Sequence, residues 1–343
     1  MKKNWIVNAA PAGSEVTRLC NEINVSQPVA SILLQRGIQR FEDARAFFSP
    51  DLSELHDPFL MKDMRLALNR LLQAMQNKEK ILIYGDYDVD GTTAVSLVYG
   101  FLRQFYPHVD YYIPDRYSEG YGLSAKGVDY AQKTGTTLLV TLDCGIKAID
   151  KVAYGNQLGI DFIICDHHTP GSELPPAVAV LDPKQADCPY PCKELTGCGI
   201  GFKLMQALCI HNNIPYDTIF QYLDLAGISI ACDIVPVTGE NRVLLKYGLE
   251  LINTSPRPGI KAMLEIAGIK STLNTGHLVF GIGPRINAAG RIAHANHAVL
   301  LLLAKTEEEA LEAAKNVDAK NTIRKDYDSS ITEEALEMIR QQG

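Results

Sequence analysis

The stretch Ile81-Leu82-Ile83-Tyr84-Gly85-Asp86-Tyr87-Asp88-Val89-Asp90-Gly91-Thr92-Thr93 runs an apolar segment of strand length into a turn with three aspartates at alternate positions, and then into a helix-like segment. The pattern continues downstream. Further apolar runs lie at 109–113, 137–141, 162–165 and 178–181, and helix-like stretches at 92–105, 125–133 and 148–158 separate the first four strands. This alternation predicts an α/β fold, a mostly parallel sheet with helices on both faces. Open sheets of that kind place ligands beyond the carboxyl ends of their strands, so chemistry is expected in the polar residues that follow those runs.

Taken alone, Asp86, Asp88 and Asp90 fit a solvated acidic turn in which Asp90 or Thr92 caps the helix. A calcium loop would need a distal bidentate Glu that the segment lacks. Two further clusters change the balance. Asp143 follows a later strand in Leu142-Asp143-Cys144-Gly145, and Asp166-His167-His168 follows the next. Three such clusters at one sheet edge would cost several kcal/mol per uncompensated charge if buried without cations, so metal ions are the natural neutraliser. Mixed carboxylate and imidazole ligands favour manganese over magnesium or calcium and disfavour structural zinc. The ligand count fits two ions, which hold and activate water for attack on phosphorus when about 3.5–4 Å apart.

Around this core the chain reads as helical. Residues 1–75 form an expected leader whose last part, 64–75, is apolar-periodic and should pack on the sheet. The catalytic domain is expected at 76–235, and 236–305 as a helical segment on the substrate side. Helical spacing recurs at 199–211, 216–231, 242–252 and 260–267. Residues 306–343 read as one long polar connecting helix, with a break expected near Asn321.

In motif order and spacing, Asp166-His167-His168, preceded by Asp86-Tyr87-Asp88-Val89-Asp90-Gly91 and Leu142-Asp143-Cys144-Gly145, resembles the DHH phosphoesterase superfamily. Within it the likeness is to the RecJ-type single-strand-specific exonucleases. It is carried further by Pro114-Asp115-Arg116, Glu119-Gly120-Tyr121-Gly122-Leu123, Ala231-Cys232-Asp233-Ile234-Val235-Pro236 and Gly283-Pro284-Arg285-Ile286-Asn287-Ala288-Ala289-Gly290-Arg291. The resemblance spans about 50–330 and implies manganese-dependent 5′→3′ hydrolysis of single-stranded DNA to 5′-mononucleotides, in repair and recombination, with magnesium as a substitute ion. It implies Asp88, Asp90, Asp143, His167 and Asp233 as metal ligands. Asp86 joins them or orients one of them, and Asp166 is expected to orient a ligand. His168 is implied at the scissile phosphate. Arg116, Arg285 and Arg291 are implied phosphate-binding positions, the last two in a glycine-rich turn with Asn287. The glycine-histidine motif of a DHH-associated domain and an OB-fold are not visible, so the chain reads as truncated before them.

Composition sets outer limits. The 343 residues are 46% hydrophobic, enough for one or two cores. No apolar run approaches the roughly 20 residues that span a bilayer, and no signal peptide opens the chain, so a cytoplasmic protein with no membrane partner is expected. The eight cysteines fit reduced thiols. Cys188, Cys192 and Cys198 lack the paired spacing and fourth ligand of a zinc site. A net charge of −7 argues against a dedicated nucleic-acid module but not against a nuclease, whose bound ions reverse the local sign. The expected partners are single-stranded DNA and a single-strand-binding protein or helicase. A small-substrate phosphoesterase acting on nanoRNA or cyclic dinucleotides is the alternative enzyme, and a silent DHH-like strand-binding scaffold the alternative from another class.

Overall fold

A computed structural model describes residues 6–342. The chain forms two compact units that divide between Leu55 and His56. In the first, α1 (Gly13–Ile23), α2 (Gln27–Gln35) and α3 (Phe41–Phe48) close around Val16, Leu19, Ala30, Leu33, Ile38 and Ala44.

The second unit begins with α4 (Met64–Gln76) and then alternates β1 (Lys80–Gly85), α5 (Val89–Leu102), β2 (Val109–Tyr112), α6 (Ala125–Lys133), β3 (Thr136–Leu142), α7 (Ile149–Gln157), β4 (Asp161–Cys165) and β5 (Ala179–Leu181). All neighbouring strands pair in parallel, in the order β2-β1-β3-β4-β5. The expected α/β class is therefore the observed one. Leu82, Tyr84, Leu139, Phe162 and Ile164 point to the face covered by α6 and α7, where Val128, Ala131 and Val152 meet them. Helices α4 and α5 cover the opposite face. Helix α5 starts at Val89, three residues before the expected 92, because Asp88 caps it by accepting the Gly91 N–H at 3.1 Å.

The helical region continues with α8 (Gly197–Asn212), α9 (Asp217–Phe220), α10 (Leu223–Cys232), α11 (Gly239–Thr254), α12 (Pro258–Ile266), α13 (Thr275–His277), α14 (Gly283–Ile292), α15 (Asn296–Leu303) and α16 (Glu307–Gln342). Helix α8 also packs on β3 and β4, beside α5.

Three expectations are corrected here. The single helix expected at 216–231 is two helices, α9 and α10. The glycine-rich segment 283–291 is a helix and not a turn: Pro284 suits its first turn, and its glycines serve close packing. A Cβ on Gly290 would lie 2.4 Å from the Tyr87 carbonyl oxygen. Helix α16 runs unbroken for 36 residues, because Ala310, Ala314, Val317 and Asn321 are buried and its first half packs on α12, α14 and α15. Tertiary burial overrides the weak helix preference of Asn321. No helix among the described residues is long and apolar enough to cross a membrane.

Candidate metal centre

Strand register builds this site. The chain steps from β1 outward to β2 and then crosses β1 to form β3, which makes the β1/β3 boundary the topological switch point. Gly85 pairs with Leu142, and Leu142 with Cys165. The next residues, Asp86, Asp143 and Asp166, are thus delivered side by side at the carboxyl edge. Asp143 adopts a left-handed backbone at φ 60°, which Asp tolerates better than most residues, while its N–H donates to Cys165 O at 2.9 Å. The N-terminus of α8 closes over it, and a Cβ on Gly197 would lie 2.6 Å from the Asp143 Cβ.

His167 is the hub of the cluster. Its Nε2 lies 3.1 Å from Asp143 Oδ1, 3.5 Å from Asp233 Oδ2 and 3.7 Å from Asp90 Oδ2. Two neighbouring groups offer ligand atoms close enough to share an ion: Asp86, Asp88 and Asp143 in one, and Asp90, His167 and Asp233 in the other. Asp143, His167 and His168 form a third such group, which overlaps both. The residue types suit a divalent cation with oxygen and imidazole ligands. A more decisive test of fit is the set of side-chain polar atoms left without partners: both carboxylate oxygens of Asp86, Oδ2 of Asp233 and Nδ1 of His167 are buried with no hydrogen bond. Such atoms are costly unless something absent from the protein fills the space.

Electrostatics give the same reading. Burial and then the charge of Asp88 push Asp86 up to about 7. Burial, then Asp90 and Asp88, push Asp233 up to about 8. Burial and neighbouring carboxylates also raise Asp88 and hold Asp143 well above the usual range. Asp90 is fixed by the first amides of α8, accepting from Gly197 N at 2.6 Å and Cys198 N at 2.9 Å, and by the Ser229 hydroxyl at 2.7 Å.

The two histidines have opposite surroundings. Burial lowers His167, which favours the neutral imidazole that a metal requires. His168 donates Nδ1–H to Asp166 Oδ1 at 2.7 Å, and that bond raises it toward the cation. Asp166 also accepts the N–H groups of Ile146, His167 and His168. Burial would raise Asp166, but the His168 bond and its companions outweigh it and lower it. Its hydrogen bonds are thus already spoken for, consistent with orienting His168. The Nε2 of His168 meets the Tyr121 hydroxyl at 3.0 Å.

The expected substrate residues divide. Arg116 stacks its guanidinium 5.2 Å from the Tyr87 ring. Asn287 accepts the Val89 N–H at 3.1 Å and so braces the aspartate loop. Arg291 is exposed at the end of α14, and its carbonyl accepts from the Tyr117 hydroxyl. Arg285 forms an ion pair with Asp318 of α16 at 2.8 Å. Cys188, Cys192 and Cys198 are free thiols, and no cysteine joins a metal-competent group among the described residues. Sequence reading missed Ser229, whose signal is a lone hydroxyl in an apolar helix 139 residues from its partner. It also missed Asp182, fully buried after β5 with Oδ2 unpartnered. Asp182 stands at a strand end, and that position was a usable signal.

A parallel sheet whose switch point gathers aspartates and histidines in this order defines a DHH-type protein, and residues 80–230 match the DHH family, N-terminal domain. Over 343 residues the chain is 40% identical to the single-stranded-DNA-specific exonuclease RecJ of Bacillus subtilis, covering 100% of this chain and 43% of that relative. A crystal structure of an exonuclease RecJ bound to manganese superposes with a TM-score of 0.76 at 31% identity, covering 84% of this chain and 72% of that one. The crystal structure of RecJ from Thermus thermophilus in complex with Mn2+ gives 0.82 at 28% identity, covering 95% and 46%. The chain belongs to the RecJ family. It spans less than half the length of the curated relative from Bacillus subtilis.

Proposed function

We propose that this chain is the catalytic core of a metal-dependent exonuclease that hydrolyses single-stranded DNA in the 5′→3′ direction and releases 5′-mononucleotides. The observation that carries the reading is the set of buried carboxylate oxygens left without partners at the switch point. Asp86, Asp88, Asp90, Asp143, His167 and Asp233 would hold two manganese ions, with magnesium as a substitute. When bound, such ions polarise phosphoryl oxygens and lower the pKa of water. The protein groups do the positioning. Asp166 orients His168 and shifts it toward the cation, suited to a contact with the scissile phosphate. Arg116 and Arg291 supply bidentate phosphate donors, and Asn287 fixes the loop that carries Asp88 and Asp90. In this reading the enzyme works in the cytoplasm in repair and recombination, where a helicase or a single-strand-binding protein would present its strand.

The test is hydrolysis of 5′- and 3′-labelled single- and double-stranded DNA, nanoRNA and cyclic dinucleotide with manganese, magnesium or EDTA. Manganese-dependent release of 5′-terminal mononucleotides from single strands supports the reading. Preferential turnover of nanoRNA or cyclic dinucleotide, or full activity in EDTA, overturns it.

A further inference from the structure

The opposite end of the sheet carries a second concave surface that the metal centre does not use. It is an open groove of about 430 Å³ lined by Lys78, Lys80, Tyr99, Arg103, Pro107, His108, Val109 and Asp110. Lys78 and His108 are exposed, and so is Arg103. Lys78 is held in a left-handed turn at φ 58° between α4 and β1. Arg103 donates to the Pro107 carbonyl, which orders its side chain at the groove. Lys80 lies 3.9 Å from Asp110, the one acid in the lining. Lys78 and Arg103 therefore face the groove as cations with no further acid among its lining residues, and the exposed His108 ring lies beside them as a further polar group. In a chain of net charge −7, such a concentration of positive charge is an electrostatic footprint for a polyanion.

Position connects this groove to the metal centre. Helix α5 is capped at its start by Asp88, beside the metal ligands, and its C-cap is Arg103, in the groove. Fourteen residues of helix separate the two by about 21 Å, and the six residues of β1 give a similar span of about 20 Å.

We propose that this groove is a second, non-catalytic contact for the phosphodiester backbone of the single strand whose end lies at the metal centre. The proposal rests on the exonuclease reading for its choice of strand. A peptide partner fits less well, because a stable peptide interface needs buried apolar or aromatic anchors, whereas Val109 is already buried and Tyr99 half-buried in the fold. A shallow polar surface with several cations suits hydrated phosphates, whose contacts position a strand without reading its bases. A trinucleotide held at the metal centre would be too short to reach it.

The experiment compares the wild-type chain with Lys78→Glu/Arg103→Glu and, separately, His108→Glu. Fluorescence anisotropy in EDTA, where no cleavage occurs, follows binding of a fluorescein-labelled twelve-nucleotide oligothymidylate and a trinucleotide across a salt series. The double variant should bind the twelve-mer at least about tenfold more weakly, and its salt slope should be shallower by about 1.4, for two lost phosphate contacts on a single strand. His108→Glu should weaken the twelve-mer in the same direction. Trinucleotide binding, and its manganese-dependent hydrolysis, should not change in either variant. Unchanged twelve-mer binding in both variants overturns the proposal, as does an equal loss on the trinucleotide. A poly-glutamate peptide that binds wild type through these residues while DNA binding is unaffected also overturns it, in favour of an acidic protein partner. Because binding is read without metal, a chain that binds through the groove but fails to cut DNA would refute the exonuclease reading and leave the groove standing.

Discussion

The two ends of the same parallel sheet handle charge in opposite ways. At the amino end, Arg70 donates to Glu79 at 2.6 Å and to Asp161 at 2.6 Å, and Glu79 also accepts from the Thr137 hydroxyl at 2.7 Å. Both carboxylates there meet a guanidinium. Around His167 at the carboxyl end, Asp86, Asp88, Asp90, Asp143 and Asp233 crowd together without an Arg or Lys in a short ion pair to any of them among the described residues. The Arg70 cluster at the amino end is a closed ion-pair network that holds β1, β3 and β4 in place. The other end is left electrostatically unfinished, and that difference marks it as the site.

The largest effect should come from breaking the unfinished end. Asp143→Asn or His167→Ala is expected to lower activity by about three orders of magnitude or more, since each tenfold corresponds to about 1.4 kcal/mol of lost stabilisation. In EDTA the same Asp143→Asn protein should melt no lower than wild type, because Asn keeps neutral a group whose ionisation burial and the neighbouring carboxylates already disfavour. A melting temperature many degrees lower would make Asp143 a structural residue.

Opposite pH responses sharpen the contrast. Asp86 near 7 and Asp233 near 8 stand above their unfolded values. Their contribution to stability is complete below about pH 4 and is lost as pH rises through those raised values. The metal-free protein should therefore lose melting temperature as pH rises from about 4 to about 8, and manganese should restore it. Glu79 behaves in reverse. Burial would raise it, but the Arg70, Thr137 and Asn77 bonds outweigh burial and lower it. Its contribution is present above about pH 4.3 and is lost as pH falls through its depressed value. Glu79→Gln should cost about 1–3 kcal/mol at neutral pH, with a smaller gap to wild type in acid. Denaturant melts across pH check both slopes, and an equal gap in acid and at neutrality would remove Glu79 from the account.

The smallest effects separate the two arginines of α14. Arg291→Ala should reduce kcat/KM by about 1–3 kcal/mol with unchanged manganese affinity and melting temperature. Arg285→Ala should act mainly on stability, through its ion pair with Asp318. A purely kinetic Arg285→Ala defect would show that this ion pair opens toward substrate.

Much of this architecture was legible in the sequence. Strand-length apolar runs ending in Asp86, Asp143 and Asp166 place the clusters at one edge of a parallel sheet, because strand period and crossover geometry are local rules. The arginine segment was misread. Its glycines resemble turn glycines, but in α14 they let the backbone approach Tyr87 and Cys232, a tertiary demand with no local signature. Ser229 reaches Asp90 across 139 residues, which only the packing of α10 on α5 reveals. Asp166 was expected to orient a metal ligand; its side chain bonds His168, the expected phosphate contact, instead.

The central claim is that the unpartnered carboxylates at the carboxyl edge exist to hold divalent cations. Calorimetric titration of manganese into the metal-free chain at neutral pH and into Asp143→Asn tests it directly. Wild type should bind manganese saturably with proton release, since raised carboxylates must lose their protons to solvent to ligate the ion, and Asp143→Asn should lose most of that binding. Equal manganese affinity in both proteins, or no saturable binding to wild type, would contradict it.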